Sequence, residues 1–166
     1  MSESFPVEVI GHVLGGRTEP TDDNWGGTRC VIRIDPDTFP ADATLGLGDF
    51  SHLEVVWHFH LQDLDGLFLG ARSARDNPAW PRAGSLAHRN MKRVNRIGVS
   101  RCRLLKVDGL DLHVEDLDAV HGSPVLDVKP WFPEFGPRGP VHQAPWSQEM
   151  LREYFAPAAP APHERH

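Results

Sequence analysis

Apolar and polar positions alternate with period two along most of the chain, the spacing of half-buried β-strands. Thr28 to Ile34 sets Arg29, Val31 and Arg33 on one face and Cys30, Ile32 and Ile34 on the other. Val99 to Val107 opposes Arg101 and Arg103 to Cys102 and Leu104 in the same way. Val7 to Leu14 reads as a first strand, Leu53 to Leu61 as a buried one rich in β-branched and aromatic residues, and Val125 to Val128 as a short one. Asp108-Gly109 falls between Leu104–Val107 and Leu110–Val114. Such a pair supplies the positive φ angles of a tight turn, so a hairpin is predicted there. Helical spacing is confined to Trp146, Met150, Leu151, Tyr154 and Phe155, just after Pro145, and predicts a C-terminal helix with one face on the body. Many short strands with Gly/Pro turns predict a mainly β protein: one small barrel-like domain over residues 1–155 with that helix at its end. Residues 156–166 are Ala/Pro-rich and are expected to be a disordered tail. Asp63 to Ala83 reads as a long loop, and long loops in compact domains are often functional.

Composition narrows the class. Hydrophobic residues make up 40% and charged residues 24% of 166, normal for one soluble domain that closes a core without disulfides. The two cysteines, Cys30 and Cys102, form no disulfide framework or zinc pattern and are expected to be buried thiols. No apolar run is long enough to cross a bilayer, and Met1 to Glu8 lacks the basic start of a secretory signal. A cytoplasmic protein with no membrane partner is expected. The net charge of -6 argues against a generic nucleic-acid binder. Locally the balance inverts. Arg82 to Lys106 carries eight basic residues and no acid, whereas Asp108 to Asp118 is acidic. Such a strip suits one anionic ligand or a local stretch of RNA, unless neighbouring carboxylates neutralise it on folding.

Three segments carry candidate chemistry. His58 and His60, two apart on a predicted strand, would share a face, but no third ligand accompanies them and no metal site is expected. Gly84 to Ser100 is dense in Arg, Asn and Gly before a strand; it is neither a P-loop nor a dinucleotide-binding turn, and suits carboxylates or phosphates. Asp116 to Trp131 contains the turn Gly122-Ser123-Pro124, with Asp127 and Lys129 placed to form an ion pair along a strand.

Taken in order, these segments resemble one family. Phe50-Ser51-His52-Leu53 followed by Phe59-His60 is similar to its central strand. Arg89 and then Arg93-Val94-Asn95-Arg96-Ile97-Gly98 resemble its Arg-Pro-Asn-Pro-Ile-Gly signature. Leu117 to Pro130 resembles its Leu-Asp-x-x-Asp-Gly-Thr-Pro-Val-x-Asp-Ile-Lys-Pro block, and Ile10-Gly11-His12-Val13 its first strand. The family is the TrmO/TsaA-like group of S-adenosylmethionine-dependent methyltransferases. The resemblance implies a β-barrel-like domain, S-adenosylmethionine as cofactor, a homodimer with the cofactor near the subunit interface, and N6-methylation of threonylcarbamoyladenosine beside the tRNA anticodon. A small-molecule methyl acceptor is the alternative, and a non-catalytic cofactor-binding module a third reading. Carried over by motif, the cofactor pocket would be lined by Gly26, Gly27, His60, Leu61, Arg89, Val99, His121, Gly122, Ser123 and Pro124. Asp118 and His121 are the catalytic candidates, and Arg93, Asn95, Arg96 and Lys129 the substrate-binding ones. The chain departs from the pattern where Val94 and Arg96 replace two prolines, His121 an Asp and His88 a Thr. The additional C-terminal domain of many bacterial tRNA enzymes has no counterpart in the sequence.

Overall fold

The computed structural model describes residues 3–158. Eight strands form: β1 (Gly11–Leu14), β2 (Arg29–Ile34), β3 (His52–His58), β4 (Ala71–Ser73), β5 (Arg82–Gly84), β6 (Ile97–Asp108), β7 (Asp111–Glu115) and β8 (Pro124–Pro130). Six of them close an antiparallel barrel in the order β1-β2-β7-β6-β3-β8. The predicted alternation decides which face turns inward. On β2, Cys30, Ile32 and Ile34 are buried while Arg29 and Arg33 are exposed. β3 buries Leu53, Val55 and Trp57, and Val13, Cys102, Leu112, Val114 and Val125 complete the interior from the other strands. Burial pushes both thiols up to about 12, so Cys30 and Cys102 stay protonated and unreactive.

Several elements differ from expectation. The first strand starts at Gly11 rather than Val7, and Phe5 to Val9 lie exposed outside the sheet. The hairpin turn sits one residue later than predicted. Asp108 pairs with Asp111, so the two-residue loop is Gly109-Leu110. Gly109 alone supplies the positive φ, 58°, as in turns with Gly at the first central position. The segment Asp63 to Ala83 is not featureless, because β4 and β5 pair there as a two-stranded sheet. β3 ends at His58, where Phe59 N–H donates to the Arg96 carbonyl and the chain bends. His58 and His60 therefore do not share a strand face.

The C-terminal helix is shorter than its apolar spacing predicts. α1 spans Pro145–Met150, and residues 151–155 form turns. The backbone beyond Met150 is drawn into other bonds: Asn24 N–H donates to the Glu153 carbonyl, Trp25 N–H to Tyr154 and Gly26 N–H to Ala156. Gly26 and Pro157 form a parallel bridge, so the start of the stretch expected as tail is held. Residues 159–166 lie outside the described residues.

This strap needs a bare backbone at position 26. A Cβ on Gly26 would stand 2.1 Å from the Phe155 carbonyl oxygen, and backbone cannot yield as a flexible side chain does. Gly26→Ala is expected to cost about 1–3 kcal/mol of stability, read as a lower urea midpoint. An unchanged midpoint would mean that the strap does not rest on Gly26.

Candidate functional site

The loop between β7 and β8 and the end of β3 meet at one end of the barrel. His121 N–H donates to the Arg17 carbonyl, Gly122 N–H to Val13 and Val13 N–H to Ser123. These bonds hold the turn against β1. Gly15 N–H donates to His121 Nδ1 at 3.0 Å. The neutral His121 ring therefore carries its proton on Nε2. His60 packs against the turn, its Nε2 3.5 Å from where a Cβ on Gly122 would stand. Two buried polar atoms here have no hydrogen-bond partner, His60 Nδ1 and Ser123 Oγ. Orphaned polar atoms are uncommon in interiors and mark places where a further group binds. Burial is the main cause lowering the His60 pKa below the usual imidazole value, followed by His12 and His121. Burial likewise lowers His58, followed by Arg96 and His60.

Asp118 faces a different set of partners. Its two carboxylate oxygens accept from the Ser100 and Tyr154 hydroxyls, and Trp57 Nε1–H donates to Ser100 Oγ at 2.9 Å. Tyr154 belongs to the strap, so Asp118 ties the strap to the barrel. Burial, then the Asp118 charge, raises the Tyr154 phenol well above its ordinary value.

Gly26 serves the strap, and Gly27 the loop that follows β7. Gly26 lies under Phe155 and Ala156, and Gly27 N–H donates to Asp116 Oδ1 at 2.7 Å. The two-stranded β4–β5 element is pinned from the same side. Arg75 grips the Asp23 carboxylate with two guanidinium nitrogens at 2.9 Å, Trp80 Nε1–H donates to Glu149, and His88 packs tilted against Trp146 of α1 with ring centroids 5.5 Å apart.

The basic strip divides in two on folding. Its second half is neutralised on the outer barrel face. Arg101 pairs with Glu54, Arg103 and Arg29 share Glu115, and Lys106 pairs with Asp108. In the first half, five cations are bonded to backbone carbonyls: Arg82 to Ala71, Arg89 to Val99, Lys92 to Asp65, Arg93 to His88 and Arg96 to Gln62. A carbonyl orients a guanidinium without cancelling its charge. Lys92, Arg93, Asn95 and Arg96 line a cleft of about 250 Å³, with Leu69, Leu86 and Val94 at its wall. Arg96 has φ 50°, which a proline, fixed near −65°, cannot adopt. The loop thus has a shape of its own where the signature carries proline.

The residues expected to line a cofactor pocket fall into three groups. His60, Leu61 and His121 to Pro124 assemble at the end of β3. Arg89 donates to the Val99 carbonyl, Gly26 lies under the strap, and Gly27 bonds to Asp116. Lys129 is placed apart from the cleft, paired with Asp127 on the outer face of β8 as its spacing predicts. Ser100, Tyr154 and His12 were missed as site residues. The lone tyrosine in the chain was the available signal for Tyr154, read only as part of a helical stripe.

The architecture defines a small closed β-barrel with a cluster of histidines and two unpartnered buried polar atoms at one end, and a basic cleft lined by Lys92, Arg93, Asn95 and Arg96. The model of the tRNA-methyltransferase O N-terminal domain matches residues 20–136, and the chain belongs to that family. A probable S-adenosyl-L-methionine-binding protein of Pyrococcus abyssi is 33% identical over 61% of this chain and 54% of its own length. A tRNA (adenine(37)-N6)-methyltransferase of Homo sapiens is 32% identical over 65% of this chain and 24% of its own. The chain thus matches about half or less of these relatives. The crystal structure of TrmO from Pseudomonas aeruginosa superposes with a TM-score of 0.70 at 23% identity, covering 88% of this chain and 63% of that one, a likeness of fold.

The Asp118 clamp has a direct optical readout, since Tyr154 is the only tyrosine. A raised phenol pKa contributes stability that is present below a tyrosine's ordinary 10.0 and is lost as pH rises through the folded value. Absorbance of the phenolate is expected to stay low near pH 10 and to appear only together with loss of the folded circular-dichroism signal. Ionisation near pH 10 in a folded protein would refute the clamp.

Proposed function

We propose that this chain is an S-adenosylmethionine-dependent methyltransferase acting on tRNA, at the N6 of a threonylcarbamoyl-type adenosine in the anticodon loop. The observation that carries the acceptor side is the set of three carbonyl-bonded cations lining the cleft, Lys92, Arg93 and Arg96, which lets an acidic protein present a local positive face to phosphate. Family membership and the names of the relatives support the cofactor and the reaction. A small-molecule acceptor is the second reading, favoured by the net charge and by the neutralisation of Arg101, Arg103 and Lys106.

The residues at the end of β3 suit a polar cofactor, because they offer an unpartnered ring nitrogen on His60 and an unpartnered hydroxyl on Ser123, both buried. His60, Leu61 and His121 to Pro124 would hold S-adenosylmethionine there, and Arg89 would take its carboxylate. Because Arg89 and Gly26-Gly27 lie in other groups, a homodimer that sets one copy's groups against the other's histidine cluster is part of the proposal. The cofactor supplies an electrophilic methyl group on a sulfonium, transferred in line to the acceptor nitrogen. The chain's contribution is orientation, which alone can supply roughly 7–11 kcal/mol. The acceptor nitrogen must also lose a proton. Asp118 is engaged at both oxygens, and the Nδ1 lone pair of His121 accepts from Gly15. The free ring nitrogen belongs to His60, held neutral by burial, and this ring takes the proton.

Titration calorimetry with S-adenosylmethionine tests the cofactor, and saturation near one site per chain is expected; no binding across the soluble range would sink the proposal. For the acceptor, tRNA binding measured against salt is expected to lose about one unit of slope in Arg96→Ala and in Arg93→Ala. Arg101→Ala, already paired to Glu54, is expected to leave the slope unchanged. Equal effects of all three would place the RNA elsewhere.

A further inference from the structure

One end of the barrel gathers imidazoles from separate elements. His12 comes from β1, His58 from the end of β3, His60 from the bend after it and His121 from the loop before β8. His60 interacts electrostatically with His58, His12 and His121, and Arg96, from the loop before β6, acts on His58. Asp35, the carboxylate facing His12, is engaged by the Thr38 hydroxyl at 2.7 Å and by the Asp37 amide. The group is therefore rich in potential positive charge, and the carboxylate that faces it does so on the side of His12. At its centre His60 Nδ1 is buried and bonded to nothing. Such a nitrogen accepts a proton, or its lone pair faces a neighbouring cation. It does not do both, because two positive charges in a poorly solvated site repel strongly.

We propose that a proton on the His60 imidazole and the positive sulfonium of the cofactor exclude each other, so that acidification expels S-adenosylmethionine in preference to its demethylated product, S-adenosylhomocysteine. This rests on the cofactor assignment made above. The two ligands share the adenosine, the amine and the carboxylate and differ in one methyl group and its charge. Their affinity ratio therefore isolates the sulfonium from every other pH effect. The sign follows from the linkage. His60 is neutral at and above neutral pH, where the sulfonium is accepted. Because burial and its neighbours lower its pKa below the ordinary 6.5, the charge arrives only below that value. Acid thus shifts the site toward the uncharged product, and a mildly alkaline solution favours exchange of product for fresh cofactor.

The test is equilibrium dialysis of both ligands on the full chain from about pH 8 to about pH 5.5. The ratio of the S-adenosylmethionine dissociation constant to that of S-adenosylhomocysteine is expected to rise about fivefold toward acid. In His60→Gln, which keeps a polar side chain but cannot titrate, the ratio is expected to stay flat. A wild-type ratio that does not change with pH overturns the proposal while leaving the cofactor assignment intact, as does parallel tightening of both ligands in acid, which would put their shared carboxylate beside the histidines. A ratio that rises equally in His60→Gln overturns the assignment to His60. Binding of neither ligand at any pH removes the cofactor assignment and this proposal with it.

Discussion

Closure of the barrel through β8 is the constraint on which the rest depends. Val125 is fully buried and pairs on both sides, with Gly11 of β1 and Trp57 of β3. Its carbonyl also accepts from Ile10 N–H. One residue thus joins the two ends of the sheet, and a register shift between Val56 and Trp57 accommodates the join. A closed sheet leaves no edge to satisfy. It also fixes where the connection into β8 must lie. His121 to Ser123 are pressed between β1 and the end of β3, and the histidines meet there because the strands do. The cluster is a consequence of closure rather than a loop added to a finished barrel.

Charge is organised by the same geometry. On the outward faces of β2, β7, β6 and β3 the register sets Arg33 beside Asp111, Arg29 and Arg103 beside Glu115 and Arg101 beside Glu54, and along β8 the i, i+2 spacing sets Lys129 beside Asp127. These exposed pairs contribute little each, but together they make the barrel wall electrically quiet. The Arg33 guanidinium holds Asp111 below the ordinary carboxylate range, and Arg29 does the same for Glu115. Lys92, Arg93 and Arg96, in the loop that leads into β6, have no facing strand and so no carboxylate in register. They find carbonyls instead and keep their field. A protein of net charge -6 can in this way confine positive potential to one rim.

The same distinction explains what could be read in the chain. Strands were legible because each needs only its own alternation, and Arg29 to Ile34 or Ile97 to Asp108 show it without help. The ion pair of Asp127 and Lys129 followed from spacing alone. The resemblance placed His60 near the turn at His121 to Pro124, and the fold brings them together. The end of the helix was not legible, because Tyr154 and Phe155 keep helical spacing while their carbonyls are taken by Trp25 and the Gly26 contact, partners more than a hundred residues away. The pairing of His58 with His60 failed because Phe59 bonds to Arg96 and bends the strand. Both misses involve a backbone bond to a distant segment, which side-chain periodicity does not encode.

The strap gives Asp118 a structural task. Tyr154 and Ser100 occupy both oxygens of Asp118, the carboxylate nearest in sequence to His121. Neutral hydroxyls orient a carboxylate without cancelling its charge, and the Asp118 charge helps to raise the Tyr154 phenol. The charges that act on His60 come instead from His12 and His121, and those on His58 from Arg96 and His60. The backbone bonds at Asn24 to Gly26 and the bond at Tyr154 hold the strap to the barrel, whereas the meeting of the imidazoles depends on closure through β8.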